Sequence, residues 1–304
     1  YNSSSPQTVT YGINGGGSII KSGNATLTLQ GNKNFGGGVT VNQGALHINA
    51  GGWYTNPFGQ TKTVTVNTGG TLSTAYAHSL GVDQNTLHIN GGTLSLGAEN
   101  YISNLQMTGG TVTGGELRTW GGTMTINESP TSAVIASPFN LVGGATLSVA
   151  DGLAADDLTI SGVIFNGNGI TKTGAGRMVL SAVNTYTGTT TVNEGTLAVN
   201  GTSIPDTNKL AIGAGKVEVT GTETVNTLFF GAAQQAAGTW GATGSGAAHI
   251  DDTRFSGTGV LTVLTSPDFS SWAAANAPGQ TASQDHDGDG VPNGVEYFMG
   301  LTGS

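Results

Sequence analysis

One segment of this chain occurs twice at a constant offset. Residues 19–49 align without a gap on residues 170–200, and 11 of the 31 positions are identical. The shared residues are the ones that shape a backbone. Gly23 and Gly174, Gly37 and Gly188, and Gly44 and Gly195 fall where corners are needed. Leu29 and Leu180, Val41 and Val192, and Leu46 and Leu197 fall where a side chain must point inward, and Phe35 corresponds to Tyr186. A repeat of turn residues and alternating apolar residues is one supersecondary unit reused by stacking. The functional question then concerns a long ladder rather than a pocket.

A simpler motif fills the space between the copies. Alternating apolar residues lead to Gly-Gly and then to Thr and a second alternation, as in 64–73, 87–96, 105–114, 118–127 and 141–150. Alternation over four or five residues predicts a half-buried strand, and glycine supplies the positive φ of a tight corner. In the first of these, Val64 and Val66 are expected inward and the threonines outward. The glycine pairs start at 69, 91, 109, 121 and 143. Steps near 20 suit one coil of a β-helix, and the step from 109 to 121 reads as a partial coil. At ~22 residues per turn, residues 8–265 give roughly 12 turns, a rod ~55 Å long at ~4.8 Å per strand. A β-sandwich would not repeat Gly-Gly-Thr so regularly.

Composition narrows the functional classes. Only 9% of residues are charged, yet the chain is rich in Val, Leu, Thr and Asn, which argues for order. The net charge is −9, and the nine Lys and Arg residues are scattered, so nucleic acid and anionic membranes are excluded as partners. No apolar run is long enough to span a bilayer, so membrane insertion is not expected. With no Cys, disulfides, thiolate metal sites and Cys nucleophiles are ruled out. The chain begins at Tyr1, and we expect a processed product that has lost an export signal.

The character changes at Ser266, and the expected division is a β-helix over 1–265 and a small module over 266–304. Ser266 as N-cap, Pro267 in the first turn and Phe269, Trp272 and Ala273 on one face predict a short helix, stopped by Pro278-Gly279 and placed over the open end of the stack. Residues 285–296 then match a calcium loop in full. Asp285, Asp287 and Asp289 hold the first three ligand positions, and Gly290 permits the sharp bend. The Val291 carbonyl, Asn293 and a bidentate Glu296 complete the set. A hard cation takes six to eight oxygens, and like charges this close repel without one. Ca²⁺ is the expected cofactor, in a structural site. Around the loop the EF-hand is incomplete, because the first helix stops early and Pro292 stands at position 8. An exiting helix with Val295, Phe298 and Met299 on one face and Gly300 as its cap is expected.

Catalytic signals are weak, and no catalytic residue is assigned. Asp156-Asp157 and Asp251-Asp252 are adjacent, so their side chains face opposite sides of a strand, and Glu116 with Arg118 reads as a surface pair. Trp53, Tyr54 and Phe58 cluster in a Gly/Pro/Asn-bounded loop that reads either as a loop folded back onto the solenoid or as the candidate contact for cell-surface glycans or a protein partner. The extended stretch from Gln7 to Tyr11, with Val9 and Tyr11, is the expected edge for assembling copies head to tail into a filament.

The unit from Lys172 to Leu197, with Asn184-Thr185-Tyr186-Thr187-Gly188 at its centre, closely resembles the autotransporter-associated β-strand repeat of secreted passenger domains. The copy from Lys21 to Leu46 is degenerate, with Asn34-Phe35-Gly36-Gly37 replacing the Thr-Tyr-Thr-Gly core. The segment 272–300 is similar to EF-hand-like and dockerin-like tails of exported bacterial proteins. The resemblance implies a right-handed parallel β-helix and an extracellular or cell-surface place. The expected role is non-enzymatic, structural or adhesive; the alternative is a β-helix that binds or degrades polysaccharide.

Overall fold

Strands form wherever apolar and polar residues alternate, and the alternation sets which side chains are buried. In Thr63–Asn67, Val64 and Val66 are buried while Thr65 points outward. The same pattern recurs in Thr86–Asn90 and Asn104–Thr108, which pair with one another in parallel and in register. The computed structural model describes the chain except for residues 32, 36, 51–62, 81–85, 103, 267 and 301–304. It is an all-β parallel solenoid of about 10 turns with two short helices near the C-terminus.

Each turn passes through a first long sheet, a short third side and a second long sheet. Both long sheets hold 12 strands. The third side is in part a four-stranded sheet of Asn100–Tyr101, Leu117–Thr119, Phe139–Leu141 and Ile164–Phe165. One continuous apolar column fills the interior from Leu27 to Val263. The stack falls short of the roughly 12 turns expected because the chain leaves the coil after Phe230. Ala233–Gln234 and Gly238–Gly241 fold back antiparallel before Phe255–Ser256 rejoins the first long sheet.

The short glycine step has a plain cause. The pairs at 69, 91 and 109 turn the chain from the second long sheet into the first, whereas those at 121 and 143 turn it from the third side into the second long sheet. One tripeptide serves two different corners, so 109 and 121 lie within a single turn.

Both copies of the repeat contain a fully buried lysine. Lys172 Nζ donates to the carbonyls of Gly174 at 2.8 Å and Glu194 at 3.0 Å. Lys21 Nζ does the same to Gly23 and, at 2.8 Å, to Gln43. Each lysine therefore ties the corner of its own turn to that of the next, satisfying carbonyls that the bend removes from the strand ladder. The glycine that follows has no alternative. Gly195 has φ +63°, and a Cβ there would lie 2.5 Å from the Gly174 carbonyl oxygen; Gly44 has the same geometry against Gly23.

Where the third side has no strand, side chains continue its hydrogen bonding. Asn184 Oδ1 accepts from Ile164 N at 2.7 Å, and its Nδ2 donates to the Ser203 carbonyl at 2.7 Å. In the next turn the buried Glu223 accepts from Ser203 N at 3.2 Å and Ile204 N at 3.1 Å. Tyr186 fills the core behind this column, its hydroxyl 2.5 Å from Thr190 Oγ1.

The ends differ. At the N-terminal end Gln7–Val9 is the outer strand of the first long sheet, paired on one side with Leu27–Leu29. At the other end the outer strands are two residues long, and Trp240 packs edge-on against Phe230 over the last turn. The helix α1 (Phe269–Asn276) does not cover this end as expected. It packs on α2 (Asn293–Met299) in a separate small cluster of Phe269, Trp272, Ala273, Ala277 and Tyr297. Ser266 is not its cap: its hydroxyl accepts from Ala237 N at 2.9 Å, holding the folded-back segment, and the first helical bond runs to the Asp268 carbonyl.

Two substitutions test these corners. Gly195→Ala should cost at least about 2 kcal/mol in chemical denaturation, because strain in the left-handed region adds to a backbone clash. Burial is the largest influence on Lys172 and pulls its pKa down to about 8, against the opposing charges of Asp157 and Glu194. Between pH 8 and 10.5 the unfolded chain holds a proton that the folded chain has released, so stability rises with pH across that window. The stability of wild type relative to Lys172→Met should grow by about 1–2 kcal/mol between pH 7.5 and 10, less than the full shift allows because the carbonyls of Gly174 and Glu194 favour the ammonium. A difference independent of pH would contradict this.

Candidate functional site

The loop 285–296 is bent by its own carboxylates. Asp285 accepts from Gly288 N at 2.8 Å and Gly290 N at 2.9 Å. Asp287 accepts from Asp289 N at 3.1 Å, and Asp289 from Val291 N at 2.7 Å. These bonds need a backbone that only the glycines supply easily, and Gly288 and Gly290 have φ of +78° and +93°. The outcome is convergence: one oxygen from each of Asp285, Asp287 and Asp289 lies within 4.8 Å of the others.

Two further expected ligands sit at the start of α2. Asn293 is buried and braces the loop, accepting from His286 N at 3.0 Å and donating to the Thr281 carbonyl at 3.0 Å. Its oxygen is thus committed to the loop backbone. Glu296 is 1% exposed, and its Oε2 has no hydrogen-bond partner among the described residues. Burial, then the charges of Asp287, Asp289 and Asp285, hold this carboxyl above its ordinary range. Backbone donors, led by Gly290 N–H, hold Asp285 below it. Glu296 does not join the three aspartate oxygens in the tight group, but it feels their charge, and a buried oxygen without a donor near converging carboxylates fits a hard cation. Val291 lies in the same bend through its N–H to Asp289.

A second cluster lies beside the short sheet. Arg118 bridges Glu99 at 2.6 Å and Glu116, which also accepts from Asn140 Nδ2 at 2.6 Å. The hydrogen bond to Glu116 is the main reason the guanidinium is held more firmly protonated than usual. Beneath it the rings of His78, Tyr101 and Trp120 form a stack, with centroids 5.4 Å and then 4.9 Å apart. The sequence pairs Glu116 with Arg118 but gives no local sign of Glu99, His78, Tyr101 or Trp120. The signal is the coil period: residues 19–24 apart meet on one face of adjacent turns. Both carboxylates are engaged by the same guanidinium, so the cluster is an ion-pair network rather than a free acid–base pair.

The adjacent aspartates do separate, but not by strand alternation: Asp156 and Asp157 precede the strand Leu158–Ile160, and Asp251 and Asp252 follow His249–Ile250. Asp156 pairs with Arg177, whose guanidinium also reaches Glu218 at 2.9 Å, while buried Asp157 accepts from the backbone of Gly152 and Arg177. Asp251 pairs with Arg254, and Asp252 caps Thr243. Trp53, Tyr54 and Phe58 lie outside the described residues. Val9 rests partly buried against the core, and Tyr11 is 72% exposed at the N-terminal end. Among the described residues, no helix is long and apolar enough to cross a membrane.

Comparison with known proteins agrees with the repeat seen in the structure. A family model described as the passenger-associated transport repeat matches residues 19–48 and 170–199. These are the two segments that carry the buried lysines and the glycine corners. No curated protein and no solved structure matches the chain. The matched repeats and the solenoid fit a passenger-type surface protein.

Proposed function

We propose that this protein is a non-enzymatic element of an extracellular or cell surface, a rod that displays long sheet faces and carries a calcium-braced C-terminal module. The observation that supports the scaffold role most is the long stack of parallel, in-register strands. Its charged side chains are largely spent on ion pairs and corner bonds, as with Arg118, Arg177 and Lys172. A polysaccharide-degrading role would need a carboxylate pair free of a cation, and the clusters around Arg118 and Arg177 do not offer one. Head-to-tail assembly through Gln7–Val9 and Tyr11 is a weaker reading. The N-terminal edge is open to β-augmentation, but the two-residue strands at the other end give it little to pair with.

Calcium enters through the loop. Asp285, Asp287, Asp289 and Glu296 supply carboxylate oxygens, the Val291 carbonyl adds one more, and Asn293 holds the bend or reaches the ion through water. The ion would offset the repulsion among the carboxylates and satisfy Glu296. At a tenfold excess over Kd it would stabilise the chain by about 1.4 kcal/mol. Calorimetry on the intact chain should show one calcium-binding event, and calcium should raise the thermal midpoint of the helical module. Asp287→Ala should abolish both effects while leaving unfolding in chelator unchanged or slightly raised. Equal midpoints in calcium and chelator would refute the calcium assignment.

A further inference from the structure

Trp120 is a large aromatic left half exposed, at 49%. It is not loose. Its ring lies at 4.9 Å and 12° on Tyr101, which stacks in turn on buried His78. The exposed face is therefore presented by a rigid column, which reduces the entropy lost when something stacks on it.

Trp120 does not itself line a groove, but the next residue, Gly121, begins the lining of one of about 350 Å³, and the Trp120 backbone carbonyl lies against Gly143 in the same lining. Its floor is backbone, from Gly121, Gly144 and neighbouring glycines, and Asn168 lies along it. Its wall is a row of threonines on the outward face of the second long sheet. Thr146 pairs in register with Thr171, and Thr171 with Thr191. The row begins one turn earlier at Thr123 and ends where Ala211 replaces the next threonine. Parallel pairing spaces the hydroxyls at ~4.8 Å, a regular line of groups that both donate and accept. None of the residues lining the groove is charged.

An aromatic platform, a line of hydroxyls and an uncharged, backbone-floored groove together suit a flat, hydroxyl-rich, neutral ligand. We propose that this groove is a binding site for a neutral oligosaccharide, with one sugar ring stacked on Trp120 and the following units along Thr146, Thr171 and Thr191. Phosphate or sulfate groups have no cation there to receive them, and an apolar peptide finds no apolar wall. The site is separate from the calcium loop, so either assignment can fail without the other.

The test is titration calorimetry of the intact protein in calcium with neutral hexasaccharides (glucan, mannan, xylan and chitin fragments) and with hexagalacturonate as an acidic control. At least one neutral hexasaccharide should bind with a Kd in the millimolar range or tighter. Trp120→Ala should weaken it about tenfold or more, the loss of one stacking contact. Trp120→Phe should recover part of that loss, and Thr171→Lys, which fills the groove and leaves the ring in place, should also weaken binding. Circular dichroism melting confirms that each variant is folded. Absence of binding across the neutral set, binding confined to the acidic control, or binding indifferent to both Trp120→Ala and Thr171→Lys would each overturn the proposal.

Discussion

A solenoid survives only if each turn sets its inward side chains on those of the turn before, and the corners decide whether it can. A strand ladder satisfies its own backbone groups, but a bend does not, and a bend repeated at every turn multiplies the cost. This chain meets that cost with a small set of devices. Glycines allow the bend, buried lysines collect corner carbonyls from two successive turns, and Asn184 and Glu223 stand in for a missing strand. The apolar column supplies most of the favourable energy, but it does so only because the corners hold the turns in register. Lys172 and Lys21 are thus explained together, although a lysine with no exposed surface is costly in isolation.

Most of the fold was legible in the sequence because its period is written in residues with strong backbone preferences. The paired glycines, the alternation in Thr63–Asn67 and the gapless repeat all point to stacked parallel strands. The one short step, between Gly109 and Gly121, reads as a partial coil and is one, because the same Gly-Gly-Thr turns two different corners. The C-terminal end was misread. A helix-forming stretch after the last strand resembles a cap, but a cap is chosen by tertiary packing, and Trp272 finds Phe269 and Tyr297 instead. Trp240, within an Ala/Gly-rich segment, covers the end with Phe230.

The sites divide in the same way. The carboxylate loop is local, so its spacing alone brings Asp285, Asp287 and Asp289 together, and the buried oxygen of Glu296 is the detail that only the packing of α2 reveals. The groove beside Trp120 is nonlocal. Its threonines come from three strands and a corner whose numbers are unrelated until the register is known, and no window of sequence contains it. The passenger repeat identifies a scaffold; activity, if present, lies in surfaces that the scaffold assembles from distant residues.

The central claim is the parallel, in-register stack, and the chain's lack of cysteine makes it directly measurable. Register runs from Thr40 through Thr65, His88, Gln106, Thr125 and Ser148 to Thr173, one strand per step. Spin labels placed at Thr173→Cys and, in turn, at His88→Cys, Thr65→Cys or Thr40→Cys can be measured by pulsed electron resonance. The account predicts narrow distributions that lengthen by about 4.8 Å at each step, near 19, 24 and 29 Å between backbones. Distances that fail to increase in that order, or that stay equal across the three pairs, would contradict it.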